Sequence, residues 1–139
     1  MNGALFSAHI EVFGSSSCEL AARGSDLDMA FSRVCRGSQV YHLFTSPQTE
    51  LKNVAERLQC QYREMHVQRL LHARVLIVNI QDEDTGIEVD LSTDNTLGVW
   101  NSQLLLEYVS IDVRFAQIVV LVKAWASAHG IQRIDNNWT

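Results

Sequence analysis

Gly14-Ser15, followed eleven residues after the serine by Asp26-Leu27-Asp28, constrains this chain more than any other feature. Side chains alternate along a β-strand, so Asp26 and Asp28, two apart, leave the same face. Two neighbouring carboxylates on one face repel each other unless a cation lies between them. Oxygen donors of this kind suit Mg²⁺ (or Mn²⁺), which keeps part of its water shell and arrives with a triphosphate. Gly14 allows the tight turn in front of them, and Ser15, Ser16 and Ser17 offer hydroxyls and backbone N–H groups at an expected helix start. In-line displacement at phosphorus needs two such ions, one for the attacking oxygen and one for the leaving oxygen.

At 139 residues the chain has about the size of one domain, and 47% hydrophobic with 19% charged residues is ordinary globular composition. Its longest apolar run, Ile118 to Val122, is far too short to span a bilayer, so no membrane partner is expected. No secretory signal is visible at Met1. Cys18, Cys35 and Cys60 show no CxxC spacing, which reads as reduced, intracellular and not zinc-binding. The expected compartment is the cytoplasm, ahead of mitochondrion or nucleus. A net charge of −5 is unusual for a protein that handles nucleic acid. Part of that deficit belongs to carboxylates that hold cations, whose charge reverses the local sign. No basic patch announces stable RNA binding, so substrate capture is expected to be weak or to depend on other parts.

Ala8–Phe13 reads as a short strand ending at Gly14, and Leu27–Val34 as a second with the aspartates at its start. Thr49–Tyr62 has apolar residues at helical spacing (Leu51, Val54, Ala55, Leu58) behind a Ser46-Pro47 entry. Ala73–Ile80 is a near-continuous apolar run of strand length, expected to be buried on both faces. The acidic turn Gln81–Gly86 then leads into a strand Ile87–Leu91, giving a hairpin. From Asn101 onward apolar residues recur at three- and four-residue steps through Trp125, predicting two successive helices. Strands first and long helices last make an α+β chain.

Asp90 in Ile-Glu-Val-Asp-Leu is the candidate third carboxylate, because an aspartate inside a strand is otherwise disfavoured; a solvated strand-end carboxylate is the plainer reading. FGSSSCELAARGSDLDM, IEVDLS, DNTLGVWNSQLLLEYVSIDVR and VKAWASAHGI together resemble the poly(A) polymerases and terminal uridylyltransferases. These are RNA terminal nucleotidyltransferases of the DNA polymerase β-like nucleotidyltransferase superfamily. The resemblance runs from about Ile10 to Ile131, and its later block is the discriminating part.

The resemblance implies a mixed-sheet nucleotidyltransferase palm with flanking helices over residues 1–95, and the first helices of a truncated central helical domain over 96–139. It implies addition of UMP or AMP, without a template, from the nucleoside triphosphate to an RNA 3′-hydroxyl, as in mRNA polyadenylation and RNA 3′-end processing. Asp26, Asp28 and Asp90 would form the metal-binding and catalytic triad, with Asp90 nearest the primer hydroxyl. Gly14 and Ser15 would hold the β- and γ-phosphates, Asn101 and Ser102 the ribose, Asn95 the base or primer end, and Lys123 the triphosphate. The partners implied are an RNA 3′ end, UTP or ATP, and proteins of an RNA-processing complex.

Three positions depart from the family pattern. Glu19 stands where glycine is usual in the Gly-Ser loop, Leu76 replaces a common proline, and Ser127 replaces a second phosphate-binding lysine of many uridylyltransferases, which tilts towards ATP. Glu19 and the acidic balance also leave open a catalytically silent scaffold of an RNA-processing complex. Asn101 alone reads equally as a helix N-cap, Lys123 alone as a snorkelling surface lysine, and Tyr108 and Trp125 as core rather than base-stacking residues.

Overall fold

The computed structural model describes residues 6–35, 46–70 and 76–131. Five strands form one mixed sheet in the order β1-β2-β5-β4-β3, with β1 Phe6–Phe13, β2 Leu27–Cys35, β3 Met65–Leu70, β4 Ile77–Asp82 and β5 Glu88–Thr93. Only β2 and β5 run parallel; the other three pairings are antiparallel. The parallel pair needs a crossover, and α1 (Pro47–Gln61), β3 and β4 supply it. With flanking helices the class is α+β with a mixed sheet, as the sequence predicts.

The core lies between α1 and one sheet face. Leu51 and Ala55 of α1 are fully buried against Val67 (β3), Val78 (β4) and Leu91 (β5), with Met29 and Phe31 of β2 at the margin. Strand alternation puts these residues on one face and Asp28, Asn79 and Asp90 on the other. The entry to α1 follows its sequence: the Ser46 hydroxyl accepts from Thr49 N at 3.3 Å, and Pro47 takes the first turn, where its missing N–H costs nothing.

Two more helices follow, α2 (Thr96–Ile111) and α3 (Val113–Ala128). Asp112 separates them, ending α2 and capping α3 by accepting from Arg114 N at 2.9 Å. The N-cap of α2 is Asn95, whose Oδ1 accepts from Gly98 N at 3.0 Å; Asn101 therefore lies within the helix and does not cap it. Gly98 is required there, because a Cβ would stand 2.8 Å from a ring carbon of Phe13.

Four sequence expectations need correction or completion. The helix expected at Ser15 is a single 3-10 turn, Gly14–Ser16, and the chain departs from helical geometry at Glu19, with φ +60°. The strand β3 escapes the sequence reading because just one of its residues, Val67, is buried, so its alternation is faint. The apolar run Ala73–Ile80 contributes β4 from Ile77, and residues 71–75 lie outside the described residues. Tyr108 and Trp125 are not core: they are 46% and 55% exposed. Tyr108 meets Phe115 across the α2–α3 junction, but among the described residues nothing covers the outer faces of these helices.

Leu51→Ala removes the side chain on which the helix–sheet contact centres, and is expected to cost about 2–5 kcal/mol of folding stability. Urea denaturation checks this; a loss below about 1 kcal/mol would place the core elsewhere.

Candidate active site

Register sets the carboxylates. Asp28 on β2 lies directly beside Asp90 on β5, and Asp26 immediately precedes β2. Asp26, Asp28 and Asp90 each bring one carboxylate oxygen within 4.8 Å of the other two, a spacing at which they could hold a metal ion. Gly14 closes the cluster on the β1 side, since Phe13 is the β1 partner of Asp28. A Cβ at Gly14 would lie 2.0 Å from Asp28 Oδ2, and the residue has φ +72°, so the turn tolerates only glycine. Serine hydroxyls tie the turn together: Ser17 donates to Gly14 O at 3.0 Å, and Ser16 to Asp26 O at 3.2 Å.

Glu19 also has a physical account. Its φ of +60° is the left-handed conformation that favours glycine, which explains why a glycine suits this place and marks Glu19 as strained. Its side chain is exposed.

The helices meet the turn through Ser102 and Lys123. The buried Ser102 hydroxyl accepts from Gly14 N at 2.7 Å and donates to Gly98 O at 2.8 Å, pinning α2 to the Gly14 turn. Lys123 of α3 donates from Nζ to Leu20 O at 3.2 Å, and its charge reaches Asp28. Asn101 is exposed on α2 next to Ser102, Asn95 caps that helix, and Ser15 is half-buried with its carbonyl accepting from Leu20 N at 3.0 Å.

Burial pushes the Asp28 carboxyl up to about 6, with the charges of Asp26 and Asp90 adding to the rise and Lys123 opposing it. Asp90 is raised for the same first reason, and a hydrogen bond from Asn79 works against the rise. Asn79, which the sequence reading passes over, lies opposite Asp90 on β4 and donates to Asp90 Oδ1 at 2.7 Å. Its signal was there to read: a polar residue in the midst of the apolar run Leu76–Ile80. Two half-buried carboxylates that resist ionisation, with the exposed Asp26 close beside them, fit a divalent cation, which relieves the repulsion.

The comparisons agree with this geometry. The family model for the central palm domain of mitochondrial-like poly(A) RNA polymerases matches residues 2–110. Protein HESO1 of Arabidopsis thaliana is 33% identical over 124 residues, covering 89% of this chain and 24% of its own length. The crystal structure of mtPAP in complex with ATPγS superposes with a TM-score of 0.77 at 27% identity, over 91% of this chain and 29% of that one. The Cid1 poly(U) polymerase bound to Mg and 3′-dATP gives 0.66 at 28% identity, over 86% and 35%. The chain belongs to the RNA terminal nucleotidyltransferase family of poly(A) polymerases and terminal uridylyltransferases. It spans about a quarter of the length of the curated relatives, 24% of HESO1 and 25% of mouse GLD2.

The raised Asp28 fixes the sign of a pH dependence. Its folded value of about 6 exceeds the ordinary 3.8, so the unfolded chain binds fewer protons between them and metal-free stability falls as pH rises through that window. Asp28→Asn is expected to flatten this part of the profile and to stabilise the metal-free protein at pH 7. Thermal melts across pH in a chelator check it; a stability that climbs from pH 4 to 6 equally in both proteins would refute it.

Proposed function

We propose that this chain is the catalytic palm, with the opening helices, of a template-independent RNA 3′-terminal nucleotidyltransferase that adds UMP or AMP. The observation that carries the proposal is the convergence of Asp26, Asp28 and Asp90 within 4.8 Å beside the Gly14 turn. Family membership supports the reaction class, and the structures of relatives bound to ATPγS, UTP and 3′-dATP support a ribonucleotide as substrate. The division into a palm over residues 1–95 and a helical unit from residue 96 fits the sheet ending at Thr93 and α2 beginning at Thr96.

In this reading the three aspartates hold Mg²⁺ or Mn²⁺, which would supply charge neutralisation at the transferring phosphate and acidify the attacking hydroxyl. Gly14 and Ser15 hold the β- and γ-phosphates, and Lys123 adds a positive charge to the same end of the site. Asn101 and Ser102 hold the ribose, with Asn95 near the base or primer end. Asp90 accepts the proton from the RNA 3′-hydroxyl. A bond forms between that oxygen and the α-phosphorus, the bond to the β-phosphate bridge breaks, and pyrophosphate departs. Such a reaction draws mainly on positioning and electrostatics, and this set of residues provides both. With a net charge of −5, firm RNA binding falls to additional protein partners or segments. The free thiols of Cys18 and Cys60 fit a reducing, cytoplasmic setting.

Extension of an end-labelled RNA oligonucleotide, with each ribonucleotide supplied separately beside Mg²⁺, tests the proposal. Growth with ATP or UTP that Asp28→Ala abolishes, with its fold intact by circular dichroism, is the expected result. A folded protein that neither extends RNA nor binds Mg²⁺-triphosphate would instead be the silent scaffold. Asn101→Ala is expected to reduce discrimination against deoxyribonucleotides by up to about tenfold, the value of one hydrogen bond to the 2′-hydroxyl; competition between ATP or UTP and the deoxy analogue measures it, and an unaltered ratio removes Asn101 from the ribose site.

A further inference from the structure

Asn79 stands in an unusual position for an amide. Strand β4 places it directly opposite Asp90 on β5, and Glu88, two residues before Asp90, shares that face. Its Nδ2 donates to Asp90 Oδ1 at 2.7 Å and to Glu88 Oε1 at 2.8 Å, so both amide hydrogens are committed to carboxylates. Charge settles which end of the amide faces them, because carboxylate oxygens only accept and an amide oxygen there would find no donor. Among the described residues, Asn79 is the one side chain that donates to Asp90.

We propose that Asn79 is a positioning residue that fixes Asp90 as an oriented ligand, holding one carboxylate oxygen and leaving the other to the cations. The inference rests on the metal-binding reading of the three aspartates. A neutral amide does this without cancelling charge: a lysine at this position would neutralise part of the negative field that attracts the ions, and an aspartate would add repulsion. Glu88 completes the device by taking the second hydrogen, which ties the amide to two carboxylates two residues apart on β5 and leaves it one orientation. Asp90 is half-buried at the middle of three paired strands, so its backbone is already fixed; the amide removes the remaining freedom of the carboxylate. Outer hydrogen bonds of this kind commonly govern metal affinity by about 10–100-fold.

The test is a Mn²⁺ titration of the full chain, followed by the electron paramagnetic resonance signal of free Mn²⁺. Asn79→Leu keeps the γ-branched shape and removes both donors; Asn79→Val, smaller and at home in a strand, serves if the leucine variant does not fold. Asp28→Ala is the control for the site itself. The expected result is a site lost in Asp28→Ala and weakened at least tenfold in either folded Asn79 variant, with stoichiometry preserved. A merely structural amide would lower the melting temperature and leave the Mn²⁺ affinity unmoved, which would overturn the inference while the metal site stood. Equal binding by wild type and Asp28→Ala would overturn the metal reading itself, and the role of Asn79 with it.

Discussion

The parallel pairing of β2 with β5 is the constraint on which the rest of this structure depends. It sets Asp28 and Asp90 side by side although they lie far apart in the chain. Parallel neighbours cannot be joined by a tight turn, so the intervening chain must leave the sheet and return. The segment that does so carries α1, which covers one face, and β3 and β4, which extend the sheet and bring Asn79 to Asp90. One face thereby becomes the hydrophobic core, and the other is left for charge. The division follows from the two-residue period of the strands, since Met29 and Leu91 flank the very aspartates that point the opposite way.

That polar face is held in tension. Asp26, Asp28 and Asp90 converge within 4.8 Å, and burial first, then neighbouring negative charge, raises the proton affinity of Asp28 and Asp90. Among the described residues, Asn79 donates to Asp90, and the charge of Lys123 acts on Asp28. A site arranged for folding alone would not leave anions so poorly matched, because unpaired charge away from water is costly. The three carboxylates are spaced so that they could hold a metal ion, and a divalent cation would relieve the mismatch. Functional centres commonly sit at such points of local instability.

Much of the fold was legible in the sequence, for identifiable reasons. The helix α1 announces itself by its Ser46-Pro47 entry and its apolar spacing, and the β4–β5 hairpin by an acidic turn between apolar runs. Asp26 and Asp28 could be paired because strand alternation and charge repulsion are local arguments, whereas Asp90 entered as an aspartate disfavoured within a strand and gained its place through the family resemblance. What was not legible depends on neighbours. The edge strand β3 carries one buried residue, so its pattern is too weak to read. Asn95 caps α2 in place of Asn101, its Oδ1 accepting from Gly98 N, at a turn that also lies close to Phe13, far away in the chain. The apolar stripes of α2 and α3 predicted burial, yet Trp125 remains more than half exposed, because periodicity reports an amphipathic face without saying what meets it.

The contact between Gly14 and Asp28 carries a consequence for how such a chain drifts through evolution. The α-carbon at position 14 sits so close to Asp28 Oδ2 that any side chain there would occupy the carboxylate's own space. The two positions consequently behave as one heritable unit. Every single-nucleotide change that replaces the glycine disturbs the aspartate as well, and only a shorter residue at position 28 could restore the room. A lineage that lost the acid would shed that clash, while the φ of +72° would still favour glycine at the turn. Where the acid is kept, Gly14 is held twice over, once by the space the carboxylate fills and once by its own backbone angle.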